Sequence, residues 1–281
     1  MKQIKIKCPA KINLTLEVVN RRADGFHNIK SVMQMISLYD YLTISVEHAD
    51  SNKILLSGNS EEIPYNEKNL VYKACELFVK EANINNTKIT IYIEKNIPIA
   101  AGLAGGSTDG AGTIYGLNKL FQAFGNEKLH ALCANLGSDL NVCLQGGCLL
   151  ATSRGEIIEP LPVIERNVTL IKPIHLGISA KEAYTKYSLK TEKPQNNMTE
   201  KMIDAINNDC KIEPFLYNDL EYAVFDDYPE LQQIKKNYPQ AIMSGSGSTY
   251  FMFGTIKNSS LNNNYQFISN LKFIKDGVTE I

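Results

Sequence analysis

Ile97-Pro98-Ile99-Ala100-Ala101-Gly102-Leu103-Ala104-Gly105-Gly106-Ser107-Thr108-Asp109 is the stretch on which the reading of this chain turns. Before it, Ile89, Ile91 and Ile93 alternate with Lys88, Thr90, Tyr92 and Glu94, the period of a half-buried strand. After it, Ile114, Leu117, Phe121 and Phe124 recur at helical spacing. A strand, a run of small residues and a helix start form a natural anion site. Gly102, Gly105 and Gly106 let the backbone approach a ligand, and the N–H groups of the first helical turn, unpaired within the helix, point at it. Ser107 and Thr108 add hydroxyl donors, so the stretch reads as a phosphate loop. The plain alternative is a flexible turn whose glycines only permit tight strand-to-helix packing.

Spacing excludes two familiar phosphate loops. A P-loop needs Lys directly after its last Gly, and Gly106 is followed by Ser107 and Thr108. The dinucleotide fingerprint needs Gly at its first and third positions, but Leu103 and Ala104 follow Gly102.

Working outward, 281 residues exceed what one core comfortably fills and predict two domains sharing a cleft. The Pro160-Leu161-Pro162 punctuation sets the boundary, giving 1–160 and 161–281. With 44% apolar and 21% charged residues the composition is that of a soluble globule. A formal charge of -1 and a pI of about 6.4 give no electrostatic case for nucleic acid or an anionic membrane. No apolar run reaches the roughly 18 residues of a membrane span. Met1-Lys2-Gln3-Ile4-Lys5 alternates charge with apolar residues and reads as a strand, not a signal peptide. Six cysteines, none in a Cys-x-x-Cys pair, predict reduced, partly buried thiols in a cytoplasmic protein. Four histidines are too dispersed for a metal site, so no protein-held metal is expected.

Strands are predicted at 4–7, 12–18 and 29–36, with Leu42, Ile44 and Val46 marking another. Asn69 opens a helix bearing Leu70, Ala74, Leu77 and Phe78, and Gly137 stops one bearing Leu129, Leu132, Cys133 and Leu136. Beyond the boundary come a strand at 168–171, helices near 181–187, 202–206 and 229–236, and a polar loop at 190–197. A second glycine cluster, Met243-Ser244-Gly245-Ser246-Gly247-Ser248-Thr249, sits between apolar segments. The order of elements predicts an α+β fold with a largely antiparallel sheet.

Several polar residues stand out against this frame. Counting by two puts Lys11 and Asn13 on one face of their strand and Ile12 and Leu14 on the other. Lys11 is then either functional or an edge-strand lysine on a wet face. Asp139 follows a helix stop and is either functional or a capping residue. Asp24-Gly25-Phe26-His27 is a surface turn or a base-recognition element. The Gly245-Ser246-Gly247 loop is a hairpin turn or an anion nest.

Together, Pro9-Ala10-Lys11-Ile12-Asn13-Leu14, the Ile-Pro-x-x-Ala-Gly-Leu-x-Gly-Gly-Ser run and the late Met-Ser-Gly-Ser-Gly-Ser resemble the GHMP small-molecule kinases over nearly the whole chain. Asp24-Gly25-Phe26-His27 and Tyr217-Asn218-Asp219-Leu220-Glu221 resemble the branch acting on a cytidylated alcohol. The resemblance implies an N-terminal domain like ribosomal protein S5 domain 2 and a C-terminal ferredoxin-like α/β sandwich. It implies ATP, with Mg²⁺ carried by the nucleotide, and transfer to the 2-hydroxyl of 4-diphosphocytidyl-2-C-methyl-D-erythritol by a monomer or weak homodimer. By the same resemblance Lys11 and Asp139 are the catalytic pair, Asp139 as base or orienter. Asn69, Pro98, Gly102, Leu103, Ala104, Gly105, Gly106, Ser107 and Thr108 match nucleotide-binding positions. Asn13, Phe26, His27, Asp139, Tyr184, Gly245, Ser246 and Gly247 match substrate positions, Tyr184 as the ring that stacks on cytosine.

The chain departs from the family pattern in four places. Phe26 replaces Tyr, Ala104 a common Gly, Gly-Ser-Asp-Leu-Asn the commoner Gly-Ala-Asp-Val-Pro, and Ala180 a Thr of some members. The rival readings are a homoserine- or mevalonate-type kinase, whose substrates carry no base to stack, and a non-catalytic binding protein on the same fold.

Overall fold

The computed structural model describes residues 1–194, 196–256, 261 and 263–281. Position 195 of the polar 190–197 loop therefore lies outside the described residues. Strands β1 (Lys2–Asn13) and β2 (Thr15–Arg21) follow one another along one side of β3 (His27–His48), both antiparallel to it. The sequence pattern divides β3 into two strands, and the structure joins them. Pro9 faces Tyr39 and Ala10 faces Ile36, so Ser37 and Leu38 are extra residues in the pairing. A bulge of this kind breaks the alternation without ending the strand.

Strand β4 (Lys53–Gly58), helix α1 (Leu70–Glu81) and strand β5 (Thr87–Glu94) form a crossover unit whose two strands pair in parallel. Asn69 caps α1, its side chain accepting the Val71 N–H at 2.9 Å. Helices α2 (Gly105–Phe121), α3 (Asn126–Leu136) and α4 (Leu140–Gln145) follow, then the hairpin of β6 (Cys148–Ser153) and β7 (Ile157–Leu161). Strands β5 and β6 pair with the second and first halves of β3. Phe124 lies beyond α2 in the loop before α3, with its ring edge-on to Phe78 at 5.3 Å. The four helices pack on the sheet through Phe78, Ile114, Leu117, Leu132 and Val142, which meet Ile6, Leu42, Ile44 and Ile91.

The chain changes sheets between β7 and β8 (Asn167–Pro173). Helices α5 (Ala180–Leu189) and α6 (Met198–Asn207), strand β9 (Tyr217–Asn218), and helices α7 (Asp219–Val224) and α8 (Pro229–Asn237) come next. Strands β10 (Ile242–Met243), β11 (Tyr250–Phe253) and β12 (Tyr265–Lys272) complete an antiparallel sheet in the order β10-β11-β8-β12. β9 pairs with β2, and the last strand, β13 (Thr279–Glu280), returns to β1. A continuous apolar core joins the two sheets, with Ala10, Ile12, Leu14 and Ile36 packed with Val168, Leu170 and Phe251. The architecture is α+β. Among the described residues no helix is long and apolar enough to cross a membrane.

Helix α2 is held unusually close to the sheet by two glycines one turn apart. A Cβ at Gly112 would lie 2.4 Å from Cys8 Sγ, and one at Gly116 2.6 Å from Ile44 Cδ1. Alanine favours a helix interior over glycine by about 1 kcal/mol. Overpacking a filled core costs about 1–3 kcal/mol, so the clash should win. Gly112→Ala is expected to lower the unfolding free energy by about 1–2 kcal/mol in denaturant titration, and a stabilised variant would show that this contact has slack.

Candidate active site

The two glycine loops meet over the C-terminal end of β1 and wall a cavity of about 1010 Å³. Lys11 stands at the junction and is only 3% exposed. Its strand is not an edge there, because the Lys11 N–H donates to the Leu103 carbonyl oxygen of the first loop at 3.1 Å. The ammonium donates to Asn13 Oδ1 at 2.7 Å and to the Gly102 carbonyl at 3.1 Å, and lies 3.5 Å from Asp139 Oδ2. Asn13 in turn donates to Ser31 Oγ at 2.8 Å, so its amide serves to aim the lysine.

Asp139 occupies the N-cap position of α4, yet its side chain makes no capping hydrogen bond. The carboxylate is turned toward Lys11 and the cavity instead. The reading of Asp139 as a helix cap is therefore not what the geometry shows.

In the first loop Pro98, Gly102, Leu103, Ala104, Gly105, Gly106 and Ser107 line the cavity. Thr108 does not; it is buried, and its hydroxyl has no hydrogen-bond partner among the described residues. Gly102 has φ +75°, and a Cβ there would sit 2.0 Å from the Ser244 carbonyl oxygen. Ala104 adopts the left-handed conformation at φ 59°, a geometry that glycine enters at less cost. The two adjacent glycines have different tasks. A Cβ at Gly105 would meet Lys95 Nζ at 3.1 Å and Ile97 Cγ2 at 3.2 Å, whereas at Gly106 nothing lies within 4 Å. Gly106 is the glycine open to the cavity, and Gly105 serves packing.

Asn69 also lines the cavity, but its amide is engaged at both ends, capping α1 and donating to the Pro64 carbonyl at 2.7 Å. From the second loop Gly245 and Ser246 reach the cavity, while Gly247 turns away, its N–H donating to the Ser244 carbonyl. At the far end stand Phe26, 54% exposed beneath the Arg154 guanidinium, and His27, whose ring stacks on Tyr184 at 5.0 Å and 14°. Burial, with the Arg21 and Lys193 charges, lowers the His27 pKa, and burial raises that of the Tyr184 hydroxyl.

Sequence reasoning missed the ion cluster beneath the first loop. Lys95 pairs with Asp40 and lies 2.8 Å from Asp109 Oδ2, all three side chains being almost wholly buried. Asp40 also accepts the N–H groups of Asn96 and Ile97, which fixes the entry to the glycine loop. Burial raises the Asp109 pKa, Lys95 opposes the rise and Asp40 adds to it, leaving it at about 7. The available signal was a carboxylate in the small-residue start of α2, with a lysine two residues before Ile97. Among the described residues Arg21, Lys95, Arg154, Lys181 and Lys11 line the cavity against two carboxylates, Asp109 and Asp139, so its walls suit a polyanion.

A glycine-rich helix start, a close lysine–aspartate pair and a cationic wall suit phosphoryl chemistry on a small molecule. The comparisons agree. Residues 69–147 match the family model described as the GHMP kinases N terminal domain. A curated relative from Clostridium perfringens (strain SM101 / Type A), 4-diphosphocytidyl-2-C-methyl-D-erythritol kinase, is 36% identical over 258 residues, covering 89% of this chain and 88% of the relative. A solved 4-(cytidine 5'-diphospho)-2C-methyl-D-erythritol kinase superposes with a TM-score of 0.73 at 30% identity, over 89% of this chain and 90% of that one. Homoserine kinase from Cytophaga hutchinsonii superposes at 0.74 over 100% of this chain and 98% of that one, but at 16% identity it speaks for the fold alone. The chain belongs to the GHMP kinase family, in the branch of the 4-diphosphocytidyl-2-C-methyl-D-erythritol kinases.

Two predictions follow from the loop and the cluster beneath it. Gly106→Val should weaken nucleotide binding at least ten-fold by isothermal titration while leaving the melting temperature near wild type, because its side chain enters the cavity. Gly105→Val should chiefly lower the melting temperature, and the reverse pattern would exchange the two assignments. For Asp109, the folded pKa of about 7 exceeds the reference 3.8, so the unfolded chain ionises first and the native state loses stability as pH rises between them. Denaturation from pH 4 to 8 should show Asp109→Asn gaining on wild type across that interval, and a pH-independent difference would refute the shift.

Proposed function

We propose that this chain transfers the γ-phosphoryl group of ATP to the 2-hydroxyl of 4-diphosphocytidyl-2-C-methyl-D-erythritol, giving the 2-phosphate and ADP in the non-mevalonate route to isoprenoid precursors. The observation that carries the reading is the Lys11–Asp139 pair, 3.5 Å apart, in one cavity with the glycine loop and the His27–Tyr184 stack. A simple alcohol such as homoserine or mevalonate offers nothing for an aromatic stack to hold.

The chain's own residues divide the work as follows. Backbone N–H groups at the start of α2, with Ser107, receive the nucleotide's terminal phosphates. Lys11, fixed by Asn13 and the Gly102 carbonyl, sets a positive charge where negative charge gathers on the transferring group and the accepting oxygen. Asp139 orients that hydroxyl and takes its proton as the bond forms. A loose transition state lets the proton leave late, so a modest base in the right place suffices. A Mg²⁺ ion, where bound, would supply neutralisation of the phosphates' negative charge. The cavity offers it Ser107 Oγ and the Asp139 carboxylate, and no cluster of three or more acidic, histidine or cysteine ligands exists among the described residues. That donor set fits a metal carried in by the nucleotide. Residues 1–160 would then serve nucleotide binding and 161–281 would complete the substrate side. A cytoplasmic location agrees with the free state of all six cysteines.

The test is ATP-dependent turnover of the cytidine diphosphate alcohol beside homoserine and mevalonate, with wild type and Asp139→Asn. Wild type should prefer the cytidylated substrate by orders of magnitude. Asp139→Asn should bind both substrates yet lose about 10²–10⁴-fold in kcat, the usual range for a general base. Turnover of the simple alcohols alone would reassign the substrate, and unchanged kcat would remove Asp139 from the chemistry.

A further inference from the structure

Tyr184 and Ser188 stand one turn apart on α5, and His27 touches both. Its ring stacks on Tyr184, and its Nε2 lies 2.9 Å from Ser188 Oγ. The hydroxyl proton of Ser188 is already committed, because Oγ donates to the Tyr184 carbonyl oxygen at 2.9 Å and a carbonyl only accepts. Ser188 Oγ must therefore accept from His27, which puts the imidazole proton on Nε2. The neutral ring then carries its lone pair on Nδ1. Burial, with the Arg21 and Lys193 charges nearby, lowers the His27 pKa and keeps the ring neutral at pH 7. The His27 ring lines the cavity, and no hydrogen bond to Nδ1 is formed among the described residues.

We propose that Ser188 is a positioning residue that fixes His27 as a hydrogen-bond acceptor, so that the site selects a base with an amino group at its edge and rejects one with a carbonyl there. This rests on the cytidine-substrate reading above and deepens it by assigning the discrimination to one atom. Cytosine presents an amino donor where a uracil-type base presents a carbonyl oxygen. Two acceptors facing one another leave both lone pairs buried and unpaired, which costs more than losing one hydrogen bond. Stacking alone makes no such distinction, since both bases offer a similar flat face. Were the proton on Nδ1 instead, the preference would invert.

The experiment pairs a spectrum with kinetics. In the ligand-free enzyme labelled with ¹⁵N-histidine, and with His27→Gln to assign the resonance among the four histidines, His27 should show a pyridine-type Nδ1 and a pyrrole-type Nε2. In Ser188→Ala that pattern should move toward a tautomer mixture. The ratio of kcat/KM for the cytidine over the uridine form of the substrate should fall about ten-fold, the value of one hydrogen bond. The change should lie in KM, and Ser188→Thr, which keeps the hydroxyl, should restore both readouts. A pyrrole-type Nδ1 in wild type overturns the proposal by itself, even if Ser188→Ala does not fold. So does a Ser188→Ala enzyme with unchanged spectrum and ratio. Absence of any wild-type turnover of the cytidine substrate would instead overturn the reading beneath it, and the spectrum, taken without ligand, keeps the two failures apart.

Discussion

The carbonyl oxygen of Gly102 is the point on which both halves of the active site hang. It accepts from Lys11 Nζ at 3.1 Å and from Ser244 Oγ at 3.0 Å, so the first glycine loop, Lys11 and the second glycine loop share one acceptor. Ser244 Oγ also accepts the Asn13 N–H at 3.3 Å, which ties the second loop to β1 as well. Such an arrangement tolerates no side chain where the loops touch. A Cβ at Gly102 would overlap the Ser244 carbonyl oxygen, and one at Gly245 would lie 2.9 Å from the Gly102 oxygen and 3.2 Å from Lys11 Nζ. The glycines are needed here for close approach, with conformational freedom second.

A buried lysine is costly unless its donors are satisfied. Lys11 meets that demand with one amide, one backbone carbonyl and one carboxylate, each from a different part of the chain. Lys95 meets it with Asp40 and Asp109, one of which also receives two backbone N–H groups of the segment leading into the phosphate loop. Electrostatic demand thus sets the loop's position from below and from above. The strained left-handed Ala104 persists because both anchors over-determine the path between them.

The site was legible where chemistry and local pattern coincide. The strand–glycine–helix order, Lys11 with Asn13, and Asp139 after its helix stop all occupy the same cavity. What stayed hidden depends on contacts between distant positions. Nothing in the sequence near Ser37 and Leu38 announces that β3 continues through a bulge, because the bulge exists only against β1. Thr108 and Gly247 share loops with residues that face the cavity, yet backbone direction turns them inward, and one-dimensional spacing does not encode that turn. Ser188 carries no motif at all; its place beside His27 arises from the docking of α5 against the start of β3.

The Asn218–Glu221 segment shows how a family-like motif can act entirely through support. Asn218 caps α7 with its oxygen and holds the second glycine loop with its nitrogen, donating to the Met243 and Gly245 carbonyls at 2.7 and 2.8 Å. Asp219 accepts from the Val18 N–H at 2.6 Å, from the Tyr217 hydroxyl at 2.5 Å and, more loosely, from Tyr187 on α5. Glu221 accepts the Met243 N–H at 3.0 Å and lies 3.2 Å from Lys235. Three polar side chains within four residues thereby connect α7 to β2, to the helix carrying Tyr184 and to the loop touching Lys11. None of these side chains needs to contact a substrate for the motif to matter. By fixing α5 relative to β2, whose strand leads directly to Phe26 and His27, Asp219 sets the spacing between the His27–Tyr184 stack and the Lys11–Asp139 pair. A rigid distance between those two groups is what lets one end of a long substrate be recognised while the other end reacts.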